Sequence, residues 1–142
     1  MRLRIVLVDP PSGVDFGIQQ GRGRDYKTIA VQRSQSGSLQ LDCSIEVKGT
    51  RVDGPPNFVG PIAQGSPAER FVYVDIGKAA GQTDCVWDRR IKIPLEEITW
   101  QLIDSVLESP HSVLQTTIAG TGRDGGPSCA TVKPIDGWQV VK

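Results

Sequence analysis

The sequence predicts an α+β domain: a mostly antiparallel sheet, curled into a barrel-like or sandwich form, with one long amphipathic helix packed on it. Three observations carry that expectation. Leu39, Leu41, Cys43, Ile45 and Val47 alternate strictly with Gln40, Asp42, Ser44, Glu46 and Lys48, the period of two that marks an antiparallel strand with one wet face. Between Pro94 and Pro110, Leu95, Ile98, Leu102, Ile103, Val106 and Leu107 recur at helical spacing, which gives one broad apolar stripe. Strands precede and follow that helix, without the strand–helix alternation of a doubly wound fold. The 142 residues read as a single domain, 1–142, large enough to fold around its own core.

The elements follow in order. Leu3, Ile5 and Leu7 share one face of the first run and Val6 and Val8 the other, so this strand is expected to be covered on both sides. Asp9-Pro10-Pro11-Ser12-Gly13 stops it, because proline cannot extend a ladder. Short strands are expected at residues 16–19 and 27–32, with a glycine loop between them. Ser34-Gln35-Ser36-Gly37-Ser38 reads as a hairpin loop into the alternating run at 39–48. Residues 49–67 form the longest irregular stretch. Gly54, Pro55, Pro56, Gly60 and Pro61 make it stiff, while Phe58, Val59 and Ile62 give it apolar anchors; such a segment packs as a lid or Ω-loop. Further strands are expected at 71–76 and 87–93. Pro94 then opens the helix, with Glu96 and Glu97 opposing the positive end of its dipole. Strands on either side of a glycine loop and a last one around Trp138 complete the sheet.

Composition excludes several function classes. Sixteen basic residues balance sixteen acidic ones, so no excess positive charge marks the chain for nucleic acid or an anionic membrane. Cys43, Cys85 and Cys129 are odd in number and widely spaced, which argues against a disulfide framework or zinc knuckle. The first apolar run is too short for a signal-peptide core, and nothing approaches a membrane span. The expected setting is cytoplasmic and soluble.

Gly120-Thr121-Gly122-Arg123-Asp124-Gly125 spells the dinucleotide fingerprint G-x-G-x-x-G. That motif needs a strand before it and a helix after it. Here Gly126-Pro127 follows, then another strand-like run, so the glycines belong to a hairpin loop. Gly21-Arg22-Gly23-Arg24-Asp25 echoes it. Turn chemistry accounts for both; alternatively, the two loops share a rim where Arg22, Arg24 and Arg123 bind an anion. Trp87-Asp88-Arg89-Arg90 offers a further cationic spot, explained equally by an arginine resting on an aromatic ring. His111 is the single histidine; no nucleophile elbow accompanies it, and a helix C-terminus favours a cation on structural grounds. Glu96 and Glu97, neighbours on a helix, point about 100° apart and do not form a catalytic pair. No cofactor or metal site is expected.

The blocks Asp9-Pro10-Pro11, Asn57-Phe58-Val59-Gly60-Pro61 and Pro67-Ala68-Glu69-Arg70-Phe71-Val72-Tyr73 resemble those of a bacterial domain family of unknown function. So do Arg90-Ile91-Lys92-Ile93-Pro94, Ile98-Thr99-Trp100, and the run from Gly120 through Cys129-Ala130-Thr131-Val132-Lys133-Pro134 to Gly137-Trp138. These blocks span nearly the whole chain. The resemblance implies a bacterial, single-domain, soluble protein and transfers no catalytic or binding residue.

The expected function is therefore a non-enzymatic binding or interaction module for a small molecule or a protein partner. Its candidate surface is residues 54–67 with the two glycine loops, and its candidate ligand-binding residues are Arg22, Arg24, Arg123 and Arg89. The alternative is a small enzyme whose groups converge only in space, drawn from Asp75, Arg89, His111 and Cys129. A structural subunit is the third possibility.

Overall fold

A computed structural model describes residues 1–21, 23–77, 90–121, 131–134 and 136–142. Its elements are β1 (Arg2–Val8), β2 (Asp15–Gln20), a 3-10 turn (Gly23–Asp25), β3 (Lys27–Arg33), β4 (Leu39–Ser44), β5 (Glu46–Lys48) and β6 (Asn57–Val59). There follow β7 (Phe71–Ile76), β8 (Arg90–Pro94), α1 (Trp100–Leu107), β9 (Val113–Thr121), β10 (Thr131–Pro134) and β11 (Gln139–Val141).

Two sheets share one apolar core and do not close into a barrel. The first runs β10-β9-β1-β4, with β11 also on β9; the second runs β3-β2-β7-β8. β4 lies beside β3 and β10 beside β8, so the layers meet along both margins. Alternation decides what each sheet buries. Leu3, Ile5 and Leu7 of β1, Leu41 of β4, and Leu114 and Ile118 of β9 come from the first sheet. Phe16, Ile18, Val72, Val74, Ile91 and Ile93 meet them from the second. The pairs are antiparallel apart from β1 with β9, which are parallel and set Ile5 opposite Thr116. β1 is thus flanked on both edges, and Val6 and Val8 on its other face are half-buried.

The long helix expected over 94–110 is shorter. Pro94 is the last residue of β8, paired with Phe71. Leu95 donates to Arg70 O and Ile98 to Leu95 O, which makes 95–98 a turn. Thr99 then caps α1, its side chain accepting from Leu102 N at 3.3 Å. α1 has eight residues. The apolar stripe is buried as expected at Leu95, Ile98, Ile103 and Val106, but its first two members reach the core from a turn. A threonine hydroxyl that satisfies a helix-terminal N–H defines the start more strongly than the proline upstream.

Two other expectations change at the sheet boundary. Residues 34–38 are not a hairpin: β3 and β4 belong to different sheets. Ser34 is buried and anchors the crossing, its N donating to Val14 O and its Oγ accepting from Val14 N at 3.1 Å. The run at 39–48 keeps its alternation but divides. Ile45 sits between β4 and β5, its N–H donating to Met1 O, and β5 leaves to pair with β6 in a two-stranded ribbon. Period two fixes which side chains are buried, not which neighbour the backbone selects.

Candidate functional site

The site begins with a glycine in mid-strand. Phe16 pairs with Gln32 and Ile18 with Ile29, so Gly17 alone opposes Ala30 and Val31. This is a β-bulge, and Ala30 bears its strain at φ 52°. A Cβ on Gly17 would fall 2.3 Å from Thr28 Cγ2 and 2.9 Å from Ile29 O. Glycine is required there for close approach, since its φ is ordinary.

Beside the bulge lies a concave pocket of about 630 Å³. Each strand of the second sheet gives it a lining residue: Thr28 from β3, Gly17 from β2, Asp75 from β7 and Arg90 from β8. Phe71, Tyr73 and Asp75 share one face of β7 by period two, opposite the core residues Val72 and Val74. Arg90 and Lys92 alternate in the same way with Ile91 and Ile93 on β8. Tyr26 and Val31 add apolar lining and are 48% and 51% exposed.

Cross-strand pairs set the electrostatics. Asp75 is opposite Arg90, whose Nε donates to Oδ1 at 3.0 Å. The Arg90 guanidinium also lies 5.6 Å from the Tyr26 ring centroid and 5.0 Å from that of Tyr73, within cation–π range of both. Thr28 Oγ1 approaches Asp75 Oδ2 at 3.5 Å, a weak contact. Next along the face, Lys92 Nζ is 4.4 Å from the Phe71 centroid. Asp15, also in the lining, accepts from Arg33 Nε at 2.9 Å and Nη2 at 3.2 Å. The Arg33 hydrogen bond holds the Asp15 carboxyl below its ordinary range, so it serves as an ion-pair partner and not as a proton donor near neutrality.

Of the four arginines singled out from sequence, one is among the described residues. Arg24 stands exposed on the 3-10 turn, outside the pocket lining. Arg22, Arg89 and Arg123 lie outside the described residues, as do Trp87, Cys85 and Cys129. The strands carrying the two glycine loops belong to different sheets. Of the alternative catalytic set, Asp75 is in the pocket while His111 is exposed in the turn after α1. Among the described residues no cluster of His, Cys, Asp or Glu is built to hold a metal.

The stiff segment 54–67 packs down. Phe58 and Ile62 are buried in the core. Trp100 Nε1 donates to Gly54 O at 2.7 Å, and Pro61 O accepts from Gly21 N at 2.8 Å. Gln64 Nε2 also reaches Gly21 O at 2.8 Å. The segment therefore buttresses the start of the β2–β3 connection that leads to Tyr26.

Sequence reasoning missed Gly17, Tyr26 and Tyr73. The alternation of Phe71, Tyr73 and Asp75 against Arg90 and Lys92 was a usable signal for one face. Tyr26 had none, because a single aromatic after a loop has no period.

A family model described as a family of unknown function, DUF5990, matches residues 1–141. The resemblance drawn from the motif blocks is borne out at the level of a domain family of unknown function. No curated protein and no solved structure matches the chain. Among the described residues, no helix is long and apolar enough to cross a membrane.

Proposed function

The chain belongs to DUF5990, a family of unknown function, and from that premise we propose that it is a non-enzymatic binding module of the bacterial cytoplasm. Its site is the pocket on the outer face of β3-β2-β7-β8, in place of the glycine-loop arginines. The observation that carries the reading is the pocket itself: about 630 Å³, within the range of small-molecule sites. Apolar surface from Val31, Ile76 and Tyr26 surrounds a few convergent polar groups, the composition that orients a small ligand. A binding role is favoured over catalysis because each pocket carboxylate has an arginine partner, with Arg33 on Asp15 and Arg90 on Asp75. The one histidine stands elsewhere. Three widely spaced cysteines, a pattern that suits no disulfide framework, support the cytoplasmic setting.

The test is a fragment screen by ligand-observed NMR, using a library of cationic, anionic and neutral compounds, followed by amide-shift mapping. Hits are expected to move Gly17, Thr28, Ile76 and Gly77 and to be lost in Val31→Trp, which fills the pocket. Hits scattered over the surface, or unaffected by Val31→Trp, overturn the proposal.

A further inference from the structure

We infer that this pocket is a cation site whose present occupant is the protein's own Arg90. The inference rests on the binding reading above and names the ligand class: a small guanidinium or alkylammonium compound. The charges point that way. Asp15 and Asp75 are each offset by an arginine, Arg33 and Arg90, so moving Arg90 out of the cage leaves Asp75 as the uncompensated charge, which attracts a cation. The geometry points the same way. Around the Arg90 guanidinium stand a carboxylate at 3.0 Å and two tyrosine rings at 5.6 and 5.0 Å. Ring faces with a counter-ion are the environment that recognises organic cations.

Burial identifies which half of the ion pair belongs to the site. The Asp75 side chain is 14% exposed and that of Arg90 46%. The carboxylate is fixed among the strands, while the guanidinium reaches it on a long flexible stem from the edge of the lining. Among the described residues, Asp75 Oδ2 has only the 3.5 Å contact from Thr28, which leaves acceptor capacity for an incoming N–H. A ligand cation would take the place of Arg90 against Asp75 and the rings. The displaced side chain would turn to solvent, where an arginine is readily hydrated. No bond is made or broken; one cation replaces another.

The prediction is unusual in sign. Removing a basic residue should strengthen binding, because it vacates the cage. Methylguanidinium and tetramethylammonium would be titrated into 15N-labelled protein, with phenyl phosphate as the anionic control. Arg90→Ala and Arg90→Met should each tighten methylguanidinium binding roughly fivefold or more, the equivalent of one removed competing cation–π contact. Arg90→Met keeps much of the stem's packing and guards against a loss of fold in the alanine variant. Asp75→Asn should abolish the gain, and phenyl phosphate should not compete. Weaker or unchanged cation binding in both Arg90 variants overturns the inference, as does preferential binding of phenyl phosphate. If neutral or anionic fragments occupy the pocket while neither cation binds the Arg90 variants, the binding module stands and the cation site falls. If nothing occupies the pocket in any variant, both fall.

Discussion

Replacing Gly17 by alanine tests the packing that creates the pocket. The new Cβ would lie 2.3 Å from Thr28 Cγ2, 2.9 Å from Ile29 O and 3.2 Å from Val31 Cγ2. Carbon atoms pack at about 3.5–4.0 Å, so the first contact is more than 1 Å too close. Thr28 is β-branched, and moving its methyl away means changing rotamer or shifting β3 at a bulge already strained at Ala30. Overpacking of this kind costs roughly 1–3 kcal/mol. The entropic benefit of Gly→Ala offsets about 0.5–1 kcal/mol of it. A net loss of about 1–2 kcal/mol is expected, read as a lower urea midpoint with an unchanged m value. Thr28→Ser supplies the control, because serine keeps the hydroxyl beside Asp75 and deletes the clashing methyl. The double variant should recover about 1 kcal/mol relative to additivity. Full stability of Gly17→Ala, or strictly additive single effects, would refute the close-approach account of the bulge.

Two further outcomes follow from the ionisable groups. Burial, followed by the nearby Asp42 charge, pushes the Cys43 thiol up to about 12. In a Cys85→Ser/Cys129→Ser background at pH 8, native Cys43 should react with a disulfide reagent about a thousandfold more slowly than the urea-unfolded chain, in proportion to its thiolate fraction; similar rates in the two states would contradict the burial. Asp15 is held below its ordinary value of 3.8, first by the Arg33 hydrogen bond. A carboxyl depressed in the folded state stabilises the protein above its unfolded pKa, and that stabilisation is lost as pH falls through the folded value. The stability gap between wild type and Arg33→Gln should therefore be present at neutral pH and close below about pH 4. A gap that widens on acidification would show the sign to be wrong. An Asp15 carboxyl shift that titrates identically in the two proteins would show that Arg33 does not hold it.

Much of the fold was legible because burial on a strand has a local signature. Leu3, Ile5 and Leu7, and Leu41 within the alternating run, are core residues as their phase implied. Glycine, proline and serine at 34–38 marked a break but not its kind, since such a linker serves a hairpin and a crossing between sheets equally well. Pro94 misled because proline is compatible with both a strand's last residue and a helix's first turn; the cap three-dimensionally in use is Thr99. At the site, Asp75 was identifiable as a lone carboxylate on a strand. Arg90 was visible only as part of a cationic spot beside Trp87, which lies outside the described residues; the described rings it meets are Tyr26 and Tyr73.

The sequence by itself determined which side chains go inside, that sheets with one apolar face would enclose them, and that an amphipathic helix after Pro94 would pack on them. Those properties depend on periodicity over a few residues and on the cost of exposing apolar surface. Tertiary structure alone decided that two sheets divide the strands, that β1 runs parallel to β9, and that Gly17 stands against two residues of β3. It also brought Asp75, Arg90, Tyr26 and Tyr73 around one point. Partner choice and register are settled by how distant segments close on one another, and no window of neighbouring residues carries that information.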